Sequence, residues 1–218
     1  MLTLVDVRVR ARDGAAPLLE VPRLTVSAAE RIVVQGPSGA GKSLLLSVLA
    51  GRLDGGLVLT GHRDAPDLDR VGFVPQRGIE AFHPLIRLGR QLEAVTGAGR
   101  ARRSAALARV GLGAPRFARR RPAELSGGQA QRAAIALAVL TGARIVIADE
   151  PTSALDPQTR DEVLAVLTEA LQGGDTAVPA PALVVSTHDR EVAAVLGARR
   201  LEVVGGRIVA DVAAGAAA

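Results

Sequence analysis

The stretch Gly36–Ser43, GPSGAGKS, restricts this chain more than any other, because its glycines and lysine fall at spacings that few backbone paths satisfy. It fits G-x-x-x-x-G-K-[ST] and stands between an apolar strand-like run, Arg31-Ile-Val-Val-Gln35, and a helix-like run, Leu44-Leu-Leu-Ser-Val-Leu-Ala50. Gly36, Gly39 and Gly41 permit backbone conformations that ring a phosphate with inward N–H groups, and Pro37, Ser38 and Ala40 complete the ring. The following helix adds its N-terminal dipole to the same anion. Lys42 then reaches the outer phosphates, and the Ser43 hydroxyl is offered to magnesium. A glycine-rich turn that binds nothing has no need of a strand before it and a helix after it. The sequence predicts a nucleoside-triphosphate site.

Composition narrows what surrounds that site. A length of 218 residues suits one domain, or one core with a subdomain. The absence of cysteine excludes disulfides and thiolate metal sites and permits a reducing compartment. The longest apolar run, Ala133 to Ala143, falls short of the about 18 residues a spanning helix needs, and MLTLVDVRVR is too interrupted for a signal peptide. The expectation is a soluble protein that meets a membrane only through a partner. The net charge of +5 comes from arginine, chiefly Arg100–Arg103 and Arg116–Arg121. With no Tyr or Trp beside them to stack bases, these runs read as solvated helix faces rather than as a nucleic-acid surface.

Taken in order, Leu2 to Arg10 alternates apolar and charged residues, as a half-buried strand does. Asp13-Gly14 marks a turn, and Leu18 to Ser27 resumes an extended pattern. Leu57–Thr60 and Val71–Pro75 are expected as short strands. Residues 78–143 are helical in pattern, with Leu88–Thr96, Ala101–Val110 and Gln129–Leu140 as candidates, and read as a subdomain inserted between strands. Arg144–Asp149 returns to a buried strand, Thr159–Leu171 is an amphipathic helix, 173–181 a loop, and Leu183–Thr187 another buried strand. Strands alternating with helices argue a parallel α/β sheet, whose ligands bind at the carboxyl ends of strands.

Further residues gain meaning with a triphosphate in place. Asp149 and Glu150 end an apolar strand, where one carboxylate can hold the magnesium shell and the next can polarise a water. Gln76 and His188 also follow apolar strands. The first can offer an amide oxygen to magnesium, the second an imidazole to the γ-phosphate. Ser126, Gly127, Gly128 and Gln129 open a helix and form a second small-residue anion site. A single chain has no second γ-phosphate to fill it, so a head-to-tail dimer is expected.

GPSGAGKS, Gln76, LSGGQ followed by AQR, IVIADE, SALD (Ser153–Asp156) and His188 together resemble the ATP-binding cassette ATPases, in order and spacing, from about Leu2 to Val209. The resemblance implies an α/β, RecA-like P-loop NTPase core (about 1–77 and 144–218), an N-terminal antiparallel β-subdomain and an inserted helical subdomain (about 78–143). It implies hydrolysis of ATP with Mg2+ held by Ser43, Gln76 and Asp149. Glu150 is then the general base, His188 the γ-phosphate sensor, and Ser126 to Gln129 the signature that caps the other copy's nucleotide. Ser153 to Asp156 would cross the dimer interface. Implied partners are permease subunits, a second ATPase (homo- or heterodimer) and a solute-binding protein, with the chain peripheral on the cytoplasmic face of the plasma membrane.

Within that family, Val71–Gln76, Ala81-Phe-His-Pro-Leu85 and Leu88-Gly-Arg-Gln-Leu92 look like the oligopeptide, dipeptide and nickel importers, and the Glu-Asn-Val run usual in macrolide-export cassettes is lacking. An importer is therefore the leading expectation and an exporter the alternative, with Arg77 to Arg90 as permease-docking surface. Two departures stand out. The family usually stacks adenine on an aromatic near Arg10 and Ala11, whereas Phe73, Phe82 and Phe117 lie elsewhere, so Arg10 or Arg12 is expected to lay its guanidinium on the base. Leu44 replaces a hydroxyl that often follows Lys-Ser.

Overall fold

The computed structural model describes residues 1–66, 68, 70–153, 155–171, 180–189 and 191–215; Ala154, most of the 173–181 loop and the end of the Ala-rich tail lie outside them. The chain divides into two compact units, Met1–Asp69 with Ala182–Ala218, and Arg70–Pro181.

The first unit is built on seven strands. β1 (Leu2–Ala11) runs antiparallel between β2 (Pro17–Val26) and β4 (Leu57–Asp64). Leu2, Leu4, Val7 and Val9 are buried, so the alternating sequence turns one apolar face inward. Between Val5 and Arg8 the pairing with β4 shifts by a bulge. There Asp6 takes φ 50° and Gly61 φ 91°, and a Cβ on Gly61 would strike the Asp6 carbonyl. β3 (Arg31–Gln35) lies parallel between β7 (Ala182–Thr187) and β8 (Arg199–Val204). β9 (Arg207–Val212) forms a hairpin with β8 and links to β2 through the Glu20–Arg207 pair. The spatial order β4-β1-β2-β9-β8-β3-β7 thus joins an antiparallel ribbon to a parallel one. The continuous apolar runs of β3 and β7 are fully buried, as strands covered on both faces must be.

Two helices complete this unit. α1 (Lys42–Ala50) ends at Gly51, in the left-handed conformation at φ 69°. Arg63 on β4 donates from Nε to the Val48 carbonyl at 3.0 Å, which also accepts from the Gly51 N–H (3.0 Å), and from Nη2 to the Leu49 carbonyl at 2.8 Å, tying the helix end to β4. Burial pulls this guanidinium's pKa below the usual arginine value. α7 (Glu191–Leu196) is held by Arg31, whose Nη1 donates to the Leu196 carbonyl at 3.1 Å.

The second unit packs helices around a strand pair. β5 (Val71–Val74) and β6 (Ile145–Asp149) run parallel, and α5 (Gly127–Leu140) lies on β5. The alanine-rich sequence of α5 is what allows close approach: Ala130, Ala133, Ala134, Ala136 and Ala138 are all buried, and a Cβ on Gly72 would come within 3.1 Å of the Ala138 carbonyl. The apolar run near Ala133 is therefore a core helix. Among the described residues no helix is long and apolar enough to cross a membrane. α2 (Leu88–Thr96), α3 (Arg100–Arg109), α4 (Pro115–Arg119) and α6 (Pro157–Leu171) complete the unit, and Val163, Leu164 and Leu167 form the buried stripe of α6. Because β5 pairs with β6 and supports α5, the contact boundary at Arg70 and Pro181 encloses more than the helical stretch 78–143.

Candidate functional site

The phosphate loop leaves β3 at Gln35 and enters α1 at Lys42. Its glycines serve different ends. Gly36 sits at φ 151° with the Val203 carbonyl where a Cβ would be, so β8 itself forbids a larger residue. Gly39 (φ 75°) has no atom of the described residues within 4 Å of its Cβ position, so among them its backbone angle alone calls for glycine. Gly41 (φ 103°) is the N-cap of α1 and has no side chain to cap the first turn, which leaves those N–H groups for an anion. The Lys42 ammonium is folded into the loop, donating to the carbonyls of Gly36 (2.8 Å) and Pro37 (3.1 Å), and is only 6% exposed. Pro37, Ser38, Gly39 and Ser43 are exposed, Ala40 is buried and Leu44 half-buried.

The loop is braced by a residue the sequence reading passed over. Gly206, in the β8–β9 turn, donates its N–H to the Ala40 carbonyl (2.8 Å) and accepts from Glu20 N–H (2.7 Å). Its φ of 77° and the Leu18 carbonyl pressed against it leave room for glycine alone. Gln35 and Thr187 are register partners at the ends of β3 and β7, so Gly36 and His188 each begin one residue beyond the same pair. Gln35 Nε2 donates to the Asp189 carbonyl (3.0 Å), and Asp189 N–H donates to Thr187 Oγ1 (3.0 Å), fixing the turn that presents the exposed His188. Arg10 pairs with Pro17, next to Leu18, whose carbonyl oxygen lies 3.7 Å from the Cβ position of Gly41. The end of β1 therefore neighbours the phosphate loop. Arg10 Nη1 donates to the Arg12 carbonyl (3.2 Å), and Arg12 Nη2 to Gly55 (3.0 Å).

In the second unit, Asp149 ends β6 and Glu150 follows at φ 41°, a strained angle for a residue with a side chain. A short lattice of hydrogen bonds holds it there. Ser153 donates to the Glu150 carbonyl from N–H and from Oγ (both 3.1 Å), and Gln76 Nε2 donates to Ser153 Oγ at 2.9 Å. The register pair Val74–Ala148 places Gln76 and Glu150 each two residues past the same rung. Gln131, buried within α5, fixes the start of the Gln76 loop: its Oε1 accepts from Gly78 N–H (2.7 Å) and its Nε2 donates to the Pro75 carbonyl (3.0 Å). A Cβ on Gly78 would run into the α5 backbone at Ala130 and Gln131. Gln131 was visible only as a glutamine inside an alanine-rich helix.

Ser126 caps α5. Its Oγ accepts from Gln129 N–H (3.3 Å), while Gln129 Oε1 accepts from Ser126 N–H (3.2 Å). Among the described residues a Cβ on Gly127 would meet only Leu155, at 3.7 Å, and Gly128 has a Thr159 methyl 2.5 Å from its Cβ position. Asp156 leads into α6, accepting from the Thr159 hydroxyl (2.7 Å) and N–H (3.1 Å), bonds that hold its carboxyl below the usual carboxylate range. The three Phe residues belong to packing: Phe82 and Phe117 are buried, Phe73 lies within β5, and the guanidiniums of Arg116 and Arg120 each sit 5.2 Å from the Phe117 ring centre. Part of the second arginine run is thus structural.

A parallel ribbon whose strand feeds a glycine ring and then a helix, with a buried lysine turned into that ring, defines a P-loop NTPase. The model of the family described as "ABC transporter" matches residues 19–153. The chain belongs to the ABC transporter family. As a member it is an ATPase that takes ATP with Mg2+. It is similar to the macrolide export ATP-binding/permease protein MacB of Bordetella avium (39% identical over 92% of this chain and 32% of the relative). The pyoverdine export ATP-binding/permease protein PvdT of Pseudomonas putida is 36% identical over 98% of this chain and 34% of the relative. The chain thus spans about a third of the length of these relatives. Among solved structures, the ATP-binding cassette MJ0796, in a dimeric post-hydrolysis state with ADP and phosphate, superposes with a TM-score of 0.77 at 26% identity, over 100% of both chains.

These relatives are export proteins and not oligopeptide or nickel importers, so they favour the exporter alternative over the importer expectation, which rested on Val71–Gln76, Ala81–Leu85, Leu88–Leu92 and the lack of a Glu-Asn-Val run. The structure shows what residues 81–92 do. Gln91 Oε1 accepts from His83 N–H (2.7 Å), and its Nε2 donates to the carbonyls of His83 (2.9 Å) and Ile86 (2.6 Å). Gly89 lies against Ala118. The motif is a clamp that shapes a loop, and a clamp carries no information on the direction of transport.

Proposed function

We propose that this chain is the ATP-hydrolysing cassette of a membrane exporter. The observation that supports export is that relatives aligned over more than nine-tenths of the chain are export ATP-binding/permease proteins. The proposed partners are a permease and a second cassette, which would hold the chain at the cytoplasmic face of a membrane. A solute-binding protein belongs to the import reading and goes with it.

In this reading the N–H groups of Gly39, Gly41, Lys42 and Ser43 cradle the triphosphate and Lys42 Nζ neutralises its outer oxygens. Ser43, Gln76 and Asp149 have the oxygen donors that Mg2+ prefers. When bound, that ion offsets charge on the β- and γ-phosphate oxygens. Glu150 accepts the proton of the attacking water, its backbone held in the strained turn by Ser153 and, through Ser153, by Gln76. His188 donates to the γ-phosphate. Ser126 to Gln129 present N–H groups and a hydroxyl to the nucleotide of the other copy. Leu85 and Ile86, 69% and 44% exposed on the loop that Gln91 shapes, are apolar enough to seat a permease segment.

The test is capture of tagged Glu150→Gln protein from its own membranes with Mg-ATP. Export predicts one kind of polytopic permease and no solute-binding lipoprotein. Two different permeases with such a lipoprotein would overturn it.

A further inference from the structure

Positive charge is not spread over this chain. Residues 87–121 hold ten arginines and a single acid, Glu93, although the whole chain carries only +5. Within this segment a cavity of about 400 Å³ opens among α2, α3 and α4, lined by Arg87, Arg90, Arg100, Arg103 and Arg119 together with Glu93. It shares no residue with the nucleotide-site candidates.

Its walls are fixed. The Leu88 N–H donates to the Arg120 carbonyl at 2.8 Å, and a Cβ on Gly89 would come 3.0 Å from the Ala118 carbonyl, so α2 and α4 are held against each other. Arg103, 16% exposed, ties α3 to α2 by its bond to the Ala98 carbonyl (2.7 Å) and its ion pair with Glu93 (3.0 Å). That pair uses the one carboxylate in the lining. Among the described residues, Arg87, Arg90, Arg100 and Arg119 have no hydrogen-bond or ion-pair partner for their guanidiniums. All four are exposed, and they line one space from three sides, around α2, α3 and α4.

We infer that this cavity is a binding site for a ligand bearing several phosphate groups, either a free phosphorylated metabolite or the headgroup of an anionic phospholipid. Arginine forks match phosphate oxygens two at a time, and four unpaired forks call for more than one phosphate. The volume is that of a small-molecule site. No aromatic side chain lines it, which argues against a nucleobase or a single-stranded nucleic acid. A bound polyphosphate would staple α2 to α3 and α4. The inference stands independently of the nucleotide reading.

The test is calorimetric titration of the full chain with inositol hexakisphosphate, alongside flotation with phosphatidylglycerol vesicles. Arg100→Glu/Arg119→Glu should weaken the soluble probe at least tenfold. Arg23→Glu/Arg52→Glu, with the same change in net charge on exposed residues outside the cavity, should change it less than threefold. Binding should also persist in Lys42→Ala, which removes the phosphate-loop ammonium. If vesicle binding follows the same pattern, the phosphate comes from a lipid; if vesicles fail while the soluble probe binds, it is a free metabolite. Equal weakening by both double variants, loss of binding in Lys42→Ala, or tighter binding of poly-glutamate than of the phosphate probe would overturn the inference.

Discussion

Two helices of this protein begin in small, glycine-rich loops, and the two starts work by different physics. At α1 the glycines carry positive φ, Gly41 offers no capping side chain, and a lysine is buried in the loop. At α5 Gly127 and Gly128 are not among the positive-φ glycines, and Ser126 and Gln129 satisfy each other in a reciprocal cap. Glycine is required at Gly36 by the Val203 carbonyl, but at Gly128 by a Thr159 methyl. In the proposed function the first loop is an anion cradle made by one chain from its own backbone, and the second, closed on itself by its cap, needs the nucleotide of another copy to compete for its donors. On that proposal similar composition separates into an autonomous site and a conditional one.

The contrast breaks most visibly at Gly36. Gly36→Ala would push a methyl onto the Val203 carbonyl at an unfavourable φ, and is expected to cost at least about 3 kcal/mol in urea unfolding and to abolish nucleotide binding. Ser126→Ala should cost only about 1 kcal/mol, the usual loss for an N-cap, while leaving nucleotide affinity of the isolated chain unchanged. If Ser126→Ala abolished that affinity, the second loop would not be conditional. Gly127→Ala meets nothing nearer than 3.7 Å among the described residues and should stabilise by no more than about 0.5 kcal/mol.

A smaller effect is set by pH. Arg199 on β8 donates to Asp211 Oδ1 and Oδ2 (both 2.6 Å) and to Glu30 (3.0 Å), and holds the Asp211 carboxyl below its usual range. A carboxyl depressed in the folded state contributes stability above its unfolded pKa and loses it as pH falls through the folded value. Urea midpoints of the parent should therefore fall more steeply below about pH 4 than those of Asp211→Asn. The pair is partly exposed, so the difference should shrink in high salt.

Much of the site was legible because its chemistry restricts residue type. A strand, a glycine ring and Lys42-Ser43 can be read from spacing alone, and α2, α3, α5 and α6 start within two residues of their expected positions. β8 and β9 were not anticipated, although Gly205-Gly206 is a hairpin signal, because Arg199 and Arg200 open β8 against the expected alternation. The bracing role of Gly206 was invisible for a different reason: it supports Ala40 from far along the chain. Gln91 and Gln131 gave no sign that their amides would fold loops, since a glutamine reads alike in solvent and in a buried bond. The importer expectation, which the exporter relatives disfavour, leaned in part on the element that Gln91 folds.

The most direct test of the account is turnover and ATP binding measured together in Glu150→Gln. Binding should stay within about threefold of the parent and hydrolysis should fall at least about 100-fold, because the cradle is intact and the proposed proton acceptor is gone. Hydrolysis near the parent rate would contradict it, and the strained turn at Glu150 would then need another explanation.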